Sequence, residues 1–369
     1  MFNTQCRWRS LVIMMVGMTG WVMGTAAAST RNQSSPSDVP SSAYEHAQAL
    51  IALPGGRRLN LFCMGAGTPV VILEAGGGDD SLTFRRVQGR LSAFTRVCSY
   101  DRAGMGFSDP SDAPNTAAHT VRDLHALVDR ADIPKPFVLV GHSDGGLYAS
   151  LYAAYFPDEV SGLVMIDPNN LGLDMAAEKV LDQPWLKEWR TSNLADIKQA
   201  RHCLVLAKQG ALASALARYP KCMDNPPNPD VVLHRRLDKQ LARPSEQEAL
   251  LTEMIDTYPK ADGGLANAEL TLRDAHFDFC DKPLIVLSGT NEQDELPPAE
   301  LAKVTKAMLA NQADLAAHST KGKQLLVSSK TEYIQTYHPD VVVRSVTEIV
   351  EEVRKQFTEK NVKFSSQKN

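Results

Sequence analysis

A serine flanked by glycines stands between an apolar run and a segment that favours a helix. The apolar run is Phe137–Val140, the motif Gly-His-Ser-Asp-Gly-Gly spans residues 141–146, and the helix-compatible segment begins at Leu147. A Gly-x-Ser-x-Gly motif at a strand-to-helix turn strains the serine backbone, and the glycines avoid collisions with the neighbouring strand and helix. The pattern predicts that Ser143 is a nucleophile. The alternative is a structural turn that happens to carry a serine.

A nucleophilic serine also needs backbone N–H groups that stabilise the negative charge developing on the substrate oxygen. Asp144 follows the serine directly and supplies one such group. The glycine run 76–78 follows the apolar run Val70–Leu73, and its central residue, Gly77, supplies a second. The flanking glycines allow close approach to a substrate, whereas the alternative reading of the run is a tight turn. The sequence therefore predicts an oxyanion hole formed by Gly77 and Asp144.

Strand-like and helix-like segments alternate along the chain, which predicts an α/β fold. Helices are expected at Thr116–Ala131 and Pro339–Phe357. The interval between Asp167 and Cys280 lacks a strand pattern and contains proline-rich joints, so we expect a helical insertion over the strand ends. Short apolar runs typical of strands buried on both faces lie at Val70–Leu73, Val97–Tyr100, Phe137–Val140, Leu163–Ile166, Leu284–Leu287 and Leu325–Val327.

The N-terminal residues have the pattern of an export signal. Two arginines precede the apolar stretch Leu11–Met23, and Ala26 and Ala28 suit a cleavage site. The stretch is shorter than the roughly 20 residues that span a bilayer, so we expect cleavage near Ala28 and a periplasmic or secreted protein. An uncleaved anchor is the alternative. Residues 1–28 would be the signal peptide, and residues 29–45, rich in Ser, Pro, Asn and Gln, a flexible leader.

Composition narrows the classes of partner. The 369 residues are 43% hydrophobic, enough for a sizeable core, and their net charge of −4 argues against a nucleic-acid partner, which would need a basic face. After signal cleavage no stable membrane insertion is expected. No Cys/His group has metal-ligand spacing, and neither a dinucleotide fingerprint nor a Walker lysine is present, so we expect no metal and no organic cofactor.

Three blocks in this order resemble the α/β-hydrolase superfamily: Leu-Glu-Ala-Gly-Gly-Gly at 73–78, Tyr-Asp-Arg-Ala-Gly-Met-Gly-Phe-Ser-Asp at 100–109, and Val-Gly-His-Ser-Asp-Gly-Gly at 140–146. The resemblance covers about 55–357 and looks like the exported, cap-bearing, esterase-like branch. It implies an eight-stranded, mostly parallel sheet with an antiparallel second strand and a cap inserted after the sixth. The hydrolase core would then occupy 46–169 and 276–362, and the helical cap 170–275.

That fold makes neighbours of the strands that contain Cys63 and Cys98, so a disulfide between these cysteines is reasonable in an exported protein. Cys203 and Cys222 flank a helical segment of the expected cap, and a second disulfide there would stabilise a region with little core of its own. Buried free thiols are the alternative for each pair.

The resemblance also implies a histidine as general base, and here the chain departs from the pattern. Relatives read Gly-His-Tyr-Ile-Gln just beyond the eighth strand, whereas residues 331–335 read Thr-Glu-Tyr-Ile-Gln, so Glu332 stands at the histidine position. A glutamate, with an ordinary pKa of about 4.3, accepts protons poorly at neutral pH unless burial raises that pKa. His338, on the same loop, is the other candidate base. It could instead be a helix-start residue in solvent.

The carboxylate partner is expected after the sixth or seventh strand. Glu292 sits where similar proteins place it, Asp294 is a near second, and Asp167 at the end of the sixth strand is a third candidate. Each could instead be a loop carboxylate in solvent. The side chain of His142 is expected to point into the core, as the residue before such a serine usually does.

Three functions remain open, each with a small molecule as the partner. The first is a serine hydrolase of carboxylic esters or related acyl compounds, acting through an acyl-enzyme on Ser143. The second is a ligand-binding protein or pseudoenzyme that has lost its base. The third is a lyase-type activity in which Glu332 moves a substrate proton. The intact serine motif and glycine run favour retained chemistry.

Overall fold

An eight-stranded sheet forms the centre of the computed structural model, which describes residues 37–215, 218–222, 231–260, 262–290 and 296–366. The strands are β1 (Leu50–Ala52), β2 (Arg58–Met64), β3 (Val71–Glu74), β4 (Val97–Tyr100), β5 (Phe137–His142), β6 (Val160–Ile166), β7 (Leu284–Gly289) and β8 (Gly322–Val327). Their order is β1-β2-β4-β3-β5-β6-β7-β8. The strands β3 to β8 are parallel, and β2 runs antiparallel to β1 and β4. The predicted fold, including its antiparallel second strand, is confirmed.

Helices cover both faces of the sheet, which is why the central strands read as continuous apolar runs. Every residue of β3, β5 and β7 is buried. Alternate side chains enter two separate cores: Ile72 and Leu139 on one face, Leu73 and Val140 on the other.

The described helices are α1 (Arg85–Leu91), α2 (Ala117–Arg130), α3 (Asp144–Tyr155), α4 (Leu173–Glu178), α5 (Trp185–Lys208), α6 (Ala211–Ala215), α7 (Val231–Leu241), α8 (Pro244–Thr257), α9 (Asn267–Asp274), α10 (Pro298–Ala317), α11 (Ile334–Tyr337) and α12 (Pro339–Ser366). The helices α2 and α3 pack on the first core, and α1 and α12 on the second. Six helices, α4 to α9, lie between β6 and β7. None of the described helices combines the length and apolar character that crossing a membrane requires.

The N-terminal segment differs from expectation where it is described. The expected signal peptide, residues 1–28, lies outside the described residues. Residues 37–45 were expected to belong to a flexible leader, yet Val39 and Tyr44 are fully buried. The Tyr44 ring packs edge-on against Phe62 at 5.6 Å, and Leu233 of α7 joins the same cluster. The polar composition of the leader concealed these two apolar side chains, which anchor its end to the fold.

Both expected disulfides are present. Cys63 and Cys98 are directly opposed on the antiparallel strands β2 and β4, with a Cα–Cα distance of 4.0 Å. The Cys203–Cys222 bridge joins α5 to the short helical turn Pro220–Cys222 and lies in a small apolar cluster of its own.

Candidate active site

Ser143 occupies the turn between β5 and α3 in a backbone conformation that side chains rarely adopt, with φ 50° and ψ −123°. The surrounding backbone holds it there. Its N–H donates to the Ile166 carbonyl at 3.0 Å, and its own carbonyl accepts from Gly146 and Asn169 at 2.8 and 2.9 Å. The residue is half-buried and follows the carboxyl end of the central strand β5.

Glycines allow the strands and helix around the serine to approach each other. A Cβ on Gly145 would lie only 2.5 Å from the Glu74 carbonyl oxygen of β3, and a Cβ on Gly141 would collide with the Gly145 carbonyl. Both distances are shorter than any side chain tolerates. The motif therefore contains glycine for a steric reason, as the sequence predicted.

The glycine loop after β3 lies directly against the serine turn. A Cβ on Gly76 would come within 3.2 Å of the Ser143 Cβ, and a Cβ on Gly77 would collide with the Asp144 carboxylate. Gly77 is exposed, so its backbone is open to a ligand. Asp144 begins α3, where the N-terminus of a helix favours negative charge. The structure thus brings Ser143, Gly77 and Asp144 together.

A buried arginine and a glutamate hold the glycine loop. Arg102 donates to the carbonyl oxygens of Ala75 and Gly76 at 2.8 and 2.5 Å. It also donates to both carboxylate oxygens of Glu253, on α8, at 2.7 and 3.1 Å. The same glutamate accepts the Gly78 N–H at 3.0 Å. Both charged side chains are almost completely buried, at 3% and 1% exposed.

A second carboxylate shares the positive charge of Arg102. Glu74, at the end of β3, accepts from Arg102 at 3.1 Å and from the Tyr100 hydroxyl at 2.5 Å. Burial raises the pKa of Glu74 to about 7, although the charge of Arg102 and the two hydrogen bonds act in the opposite direction.

Glu332, on the loop after β8, lies beside the nucleophile. Burial raises the pKa of Glu332 above its ordinary value, and the negative charges of Asp79 and Asp167 add to this effect. The charge of the nearby His142 and the Ser143 hydroxyl beside the carboxylate oppose it.

His142 is buried, as the sequence suggested, and its ring lies among charged and aromatic side chains outside the two apolar cores. Its Nδ1 lies 3.6 Å from a carboxylate oxygen of Asp79, and its ring is 5.1 Å from that of Tyr333. Both ring nitrogens are buried and make no hydrogen bond with any described residue. Burial alone would lower the pKa of His142, but contact with Asp79 and the charge of Glu332 outweigh it and raise that pKa.

The other predicted site residues are placed differently. Glu292 and Asp294 lie outside the described residues. Asp167 accepts hydrogen bonds from the Gly289 N–H at 3.3 Å and from Gln312 at 2.9 Å. It therefore links the ends of β6 and β7 to α10, and its charge acts on Glu332 through space.

His338, the other candidate base, lies one short helix beyond Glu332. Its backbone N–H donates to the Ile334 carbonyl at 2.8 Å and ends α11. Within the described residues its imidazole makes no hydrogen bond or ion pair with Ser143. The structure thus brings Glu332, and not His338, to the nucleophile.

Sequence reasoning missed the burial of Asp144. Its side chain is 6% exposed, and burial raises its pKa to about 6, with the charges of Glu253 and Glu332 acting in the same direction. Asn169 donates a hydrogen bond that opposes the shift. Sequence reasoning also gave no role to Arg102, although this residue belongs to the motif at 100–109. No sequence pattern distinguished Glu253 within the expected cap.

One group of described side chains has the makings of a metal site away from the serine. Ligand atoms of His125, Asp129 and Glu159 lie within 4.8 Å of one another. The Lys135 ammonium, however, pairs with Asp129 at 2.5 Å and with Glu159 at 2.6 Å. One lysine ammonium thus already pairs with both carboxylates and offsets part of their charge, and the group is a surface ion-pair network.

The sequence profile of the alpha/beta hydrolase fold matches residues 68–294. An uncharacterized protein of Bacillus subtilis is 33% identical over 104 residues, which cover 28% of this chain and 41% of that protein. A 2-hydroxy-6-oxo-2,4-heptadienoate hydrolase of Pseudomonas putida is 31% identical over 155 residues, 40% of this chain and 53% of the relative. The chain therefore spans about half or less of the length of these relatives.

Solved structures extend the similarity across the chain. A thermophilic esterase from Thermogutta terrifontis matches with a TM-score of 0.53 and 18% identity, covering 83% of this chain and 98% of the esterase. A haloalkane dehalogenase from Agrobacterium tumefaciens matches with a TM-score of 0.58 and 18% identity, covering 85% and 100%. Identity this low shows a shared fold and does not transfer an activity. Together with the profile match over more than half of its residues, these similarities show that the chain belongs to the alpha/beta hydrolase fold family.

Proposed function

We propose that this protein is a serine hydrolase that cleaves carboxylic esters or related acyl compounds through an acyl-enzyme on Ser143, with Glu332 as the general base. The observation that carries the proposal is the position of the Glu332 carboxylate beside the Ser143 hydroxyl, close enough for the serine to lower the pKa of Glu332. A strained serine next to a buried proton acceptor is the arrangement that nucleophilic catalysis requires.

Acylation follows from this arrangement. Glu332 accepts the hydroxyl proton as the Ser143 oxygen attacks the substrate carbonyl carbon. The negative charge that develops on the carbonyl oxygen is stabilised by the backbone N–H groups of Gly77 and Asp144. When the tetrahedral intermediate collapses, the ester bond breaks, and Glu332 returns the proton to the departing alkoxide, which leaves as an alcohol. The acyl group remains on the serine.

Deacylation repeats these steps with water. Glu332 accepts a proton from a water molecule that attacks the acyl carbon, and it then protonates the serine oxygen as the carboxylic acid leaves. The raised pKa of Glu332 favours this chemistry, because a carboxylate with a higher pKa is a stronger base. His142 lies in the field of Glu332, where a positive charge on its imidazole favours the ionised form of the base.

Labelling with a serine-directed phosphonate tests the proposal. We expect a single adduct in the intact mass of the wild type and none in Ser143→Ala. Ser161→Ala is the matched control. Ser161 lies near the start of β6, and its hydroxyl donates a hydrogen bond to the carbonyl of Phe137, the first residue of β5, so the substitution should not affect labelling. A wild type that neither labels nor hydrolyses activated esters at any pH from 5 to 10 would favour a binding protein on the same scaffold.

We also propose that the protein works outside the cytoplasm. The two disulfides between described cysteines support this location, because such bonds persist in oxidising compartments. N-terminal sequencing of the protein from a periplasmic or culture-medium fraction tests the proposal. A mature N-terminus near Ser29 is expected, and an intact Met1 in the membrane fraction would contradict cleavage.

A further inference from the structure

The contacts of Arg102 and Glu253 surround Gly77, the loop residue of the proposed oxyanion hole. The carbonyl of Gly76 and the N–H of Gly77 belong to one peptide group. Because a trans peptide places these two bonds on opposite sides, the 2.5 Å bond from Arg102 to the Gly76 carbonyl also fixes the direction of the Gly77 N–H.

The next peptide group is fixed as well. The Gly78 N–H donates to Glu253 at 3.0 Å, which orients the Gly77–Gly78 peptide and its carbonyl. Glycine has more backbone freedom than any other residue, so three consecutive glycines would otherwise sample many orientations. Two charged side chains, joined to each other at 2.7 Å, thus determine both peptide planes that flank Gly77.

Glu253 comes from α8, one of the helices inserted between β6 and β7. Its contact with Arg102 joins residues 151 positions apart in the chain. We propose that Arg102 and Glu253 are positioning residues for catalysis, and that α8 is in this way a structural part of the oxyanion hole. This inference rests on the proposed hydrolase function.

The charge balance allows a clean test of Glu253. Arg102 keeps its contact with Glu74 when Glu253 loses its charge, and Glu74 ionises as the pH rises above its raised pKa of about 7. Glu253→Gln assayed at pH 8 therefore does not leave a buried arginine without a charged partner. The amide oxygen of glutamine can still accept the Gly78 N–H, but a neutral amide binds the guanidinium more weakly. Arg102→Lys is the stronger variant, because an ammonium keeps the charge yet lacks the fork that reaches two carbonyls and a carboxylate.

The matched control lies on the same helix. Glu246 of α8 is 5% exposed and pairs with Arg243, which binds the Gly106 carbonyl at 2.6 Å. Glu246→Gln therefore removes a buried, ion-paired carboxylate from α8 without contacting the glycine loop. Circular dichroism and thermal unfolding of each variant verify the fold.

The decisive readouts are kcat, KM and the affinity for a boronic acid, which forms a tetrahedral adduct with the serine. Loss of one oxyanion donor costs about 10²- to 10³-fold in kcat. We expect a loss of this size in Arg102→Lys and about tenfold in Glu253→Gln, with a parallel loss of boronate affinity and a KM within threefold. Amide hydrogen exchange of the peptide that contains residues 75–80 should accelerate in both, and Glu246→Gln should match the wild type.

Two results would overturn the inference while leaving the proposed function in place. One is a phosphonate-labelled wild type whose kcat and boronate affinity persist in Arg102→Lys. The other is an equal loss in Glu246→Gln, which would mean that any damage to α8 has the same effect. A wild type that the phosphonate does not label overturns the proposed function itself, and with it the inference.

Discussion

The two sides of Ser143 are built in different ways. On the side of the proposed oxyanion hole, the loop 76–78 donates a hydrogen bond to Glu253 and accepts one from Arg102, which also donates to the preceding Ala75 carbonyl, and both charged side chains are almost completely buried. On the side of the proposed base, Glu332 comes from a loop and lies beside the serine, and the neighbouring His142 has two buried ring nitrogens that make no hydrogen bond with a described residue. Hydrogen bonds fix the orientation of the glycine loop, whereas the protonation of Glu332 depends on the charges around it.

This difference indicates on which side of the proposed site a residue can be replaced in evolution without disturbing the other side. Removing a member of a fully bonded, buried network leaves unpaired groups, a cost of several kcal/mol for a charge. A base on a loop carries no such constraint. A glutamate where the sequence resemblance implies a histidine is therefore compatible with an intact serine turn and glycine loop, provided that its surroundings tune its pKa.

The largest expected effect is on the base side. Glu332→Gln preserves the shape of the side chain but cannot accept the serine proton, so kcat/KM should fall by about 10⁴-fold or more, as when a catalytic triad is broken. His338→Ala should stay within threefold of the wild type. Steady-state hydrolysis of an activated ester measures both. If His338→Ala lost as much activity as Glu332→Gln, the base assignment would be wrong.

Gly77→Ala should have the next largest effect, on the oxyanion side. The added Cβ collides with the buried Asp144 carboxylate, so either that side chain or the loop beside the serine must shift. We expect kcat to fall about 100-fold. The phosphonate-labelled wild type and the phosphonate-labelled variant should unfold at similar temperatures, because Gly77 is exposed. Gly264→Ala is the control, because its Cβ would meet nothing closer than 3.3 Å. An unchanged kcat in Gly77→Ala would show that this N–H does not bind the oxyanion.

The pH profile distinguishes the two sides most directly. Activity should fall as the pH drops through the raised pKa of Glu332, because protonation removes the base. The groups with the largest effect on the pKa of Glu332 are His142, Asp79 and Asp167, and the charge of Asp144 interacts with it as well. In His142→Asn the opposing cation is lost, so the midpoint of the acid limb should move upward by about one pH unit.

The control for this profile is Arg102→Lys, which should lower the rate at every pH without moving the midpoint. Since His142 and Glu332 influence each other, the wild-type midpoint belongs to the pair rather than to either residue. A midpoint that stays in place in His142→Asn would mean that the imidazole does not tune the base.

The sequence predicted the buried elements better than the exposed ones. The run Phe137–Val140 lies within β5, and its neighbours in the sheet centre were found equally well, because burial on both faces leaves an unbroken apolar signature. The last strand, β8, was predicted only at Leu325–Val327. Its first half contains Lys323 and Gln324, since β8 is an edge strand and most of its residues are only partly buried.

The candidate site divides in the same way. Ser143 and Gly77 belong to short local motifs that identify their own surroundings, so sequence alone could propose them. The link between Arg102 and Glu253 joins distant parts of the chain, and the charge environment of His142 depends on three separate loops. Neither leaves a local pattern, because both arise only when the sheet and the inserted helices pack together.

The smallest expected effect concerns stability rather than rate. The pKa of Glu74 is raised from its ordinary value to about 7, so the native state binds a proton that the unfolded chain releases near pH 4.5. The contribution of Glu74 to the free energy of unfolding is therefore complete at low pH and is lost as the pH rises from about 4.5 to 7. At 1.36 kcal/mol per pKa unit, the loss amounts to about 3 kcal/mol.

Glu74→Gln mimics the protonated form and should remove this dependence. Urea unfolding at pH 5 and pH 8 measures the free energy of unfolding of both proteins. Between these two pH values the wild type should lose about 3 kcal/mol more of this free energy than the variant. Activity at a single pH should change little, because Arg102 keeps Glu253 and both loop carbonyls as partners. An equal pH dependence in both proteins would mean that Glu74 is ionised beside Arg102, and that the oxyanion side is held by a full triad of charges rather than by one ion pair and a neutral acid.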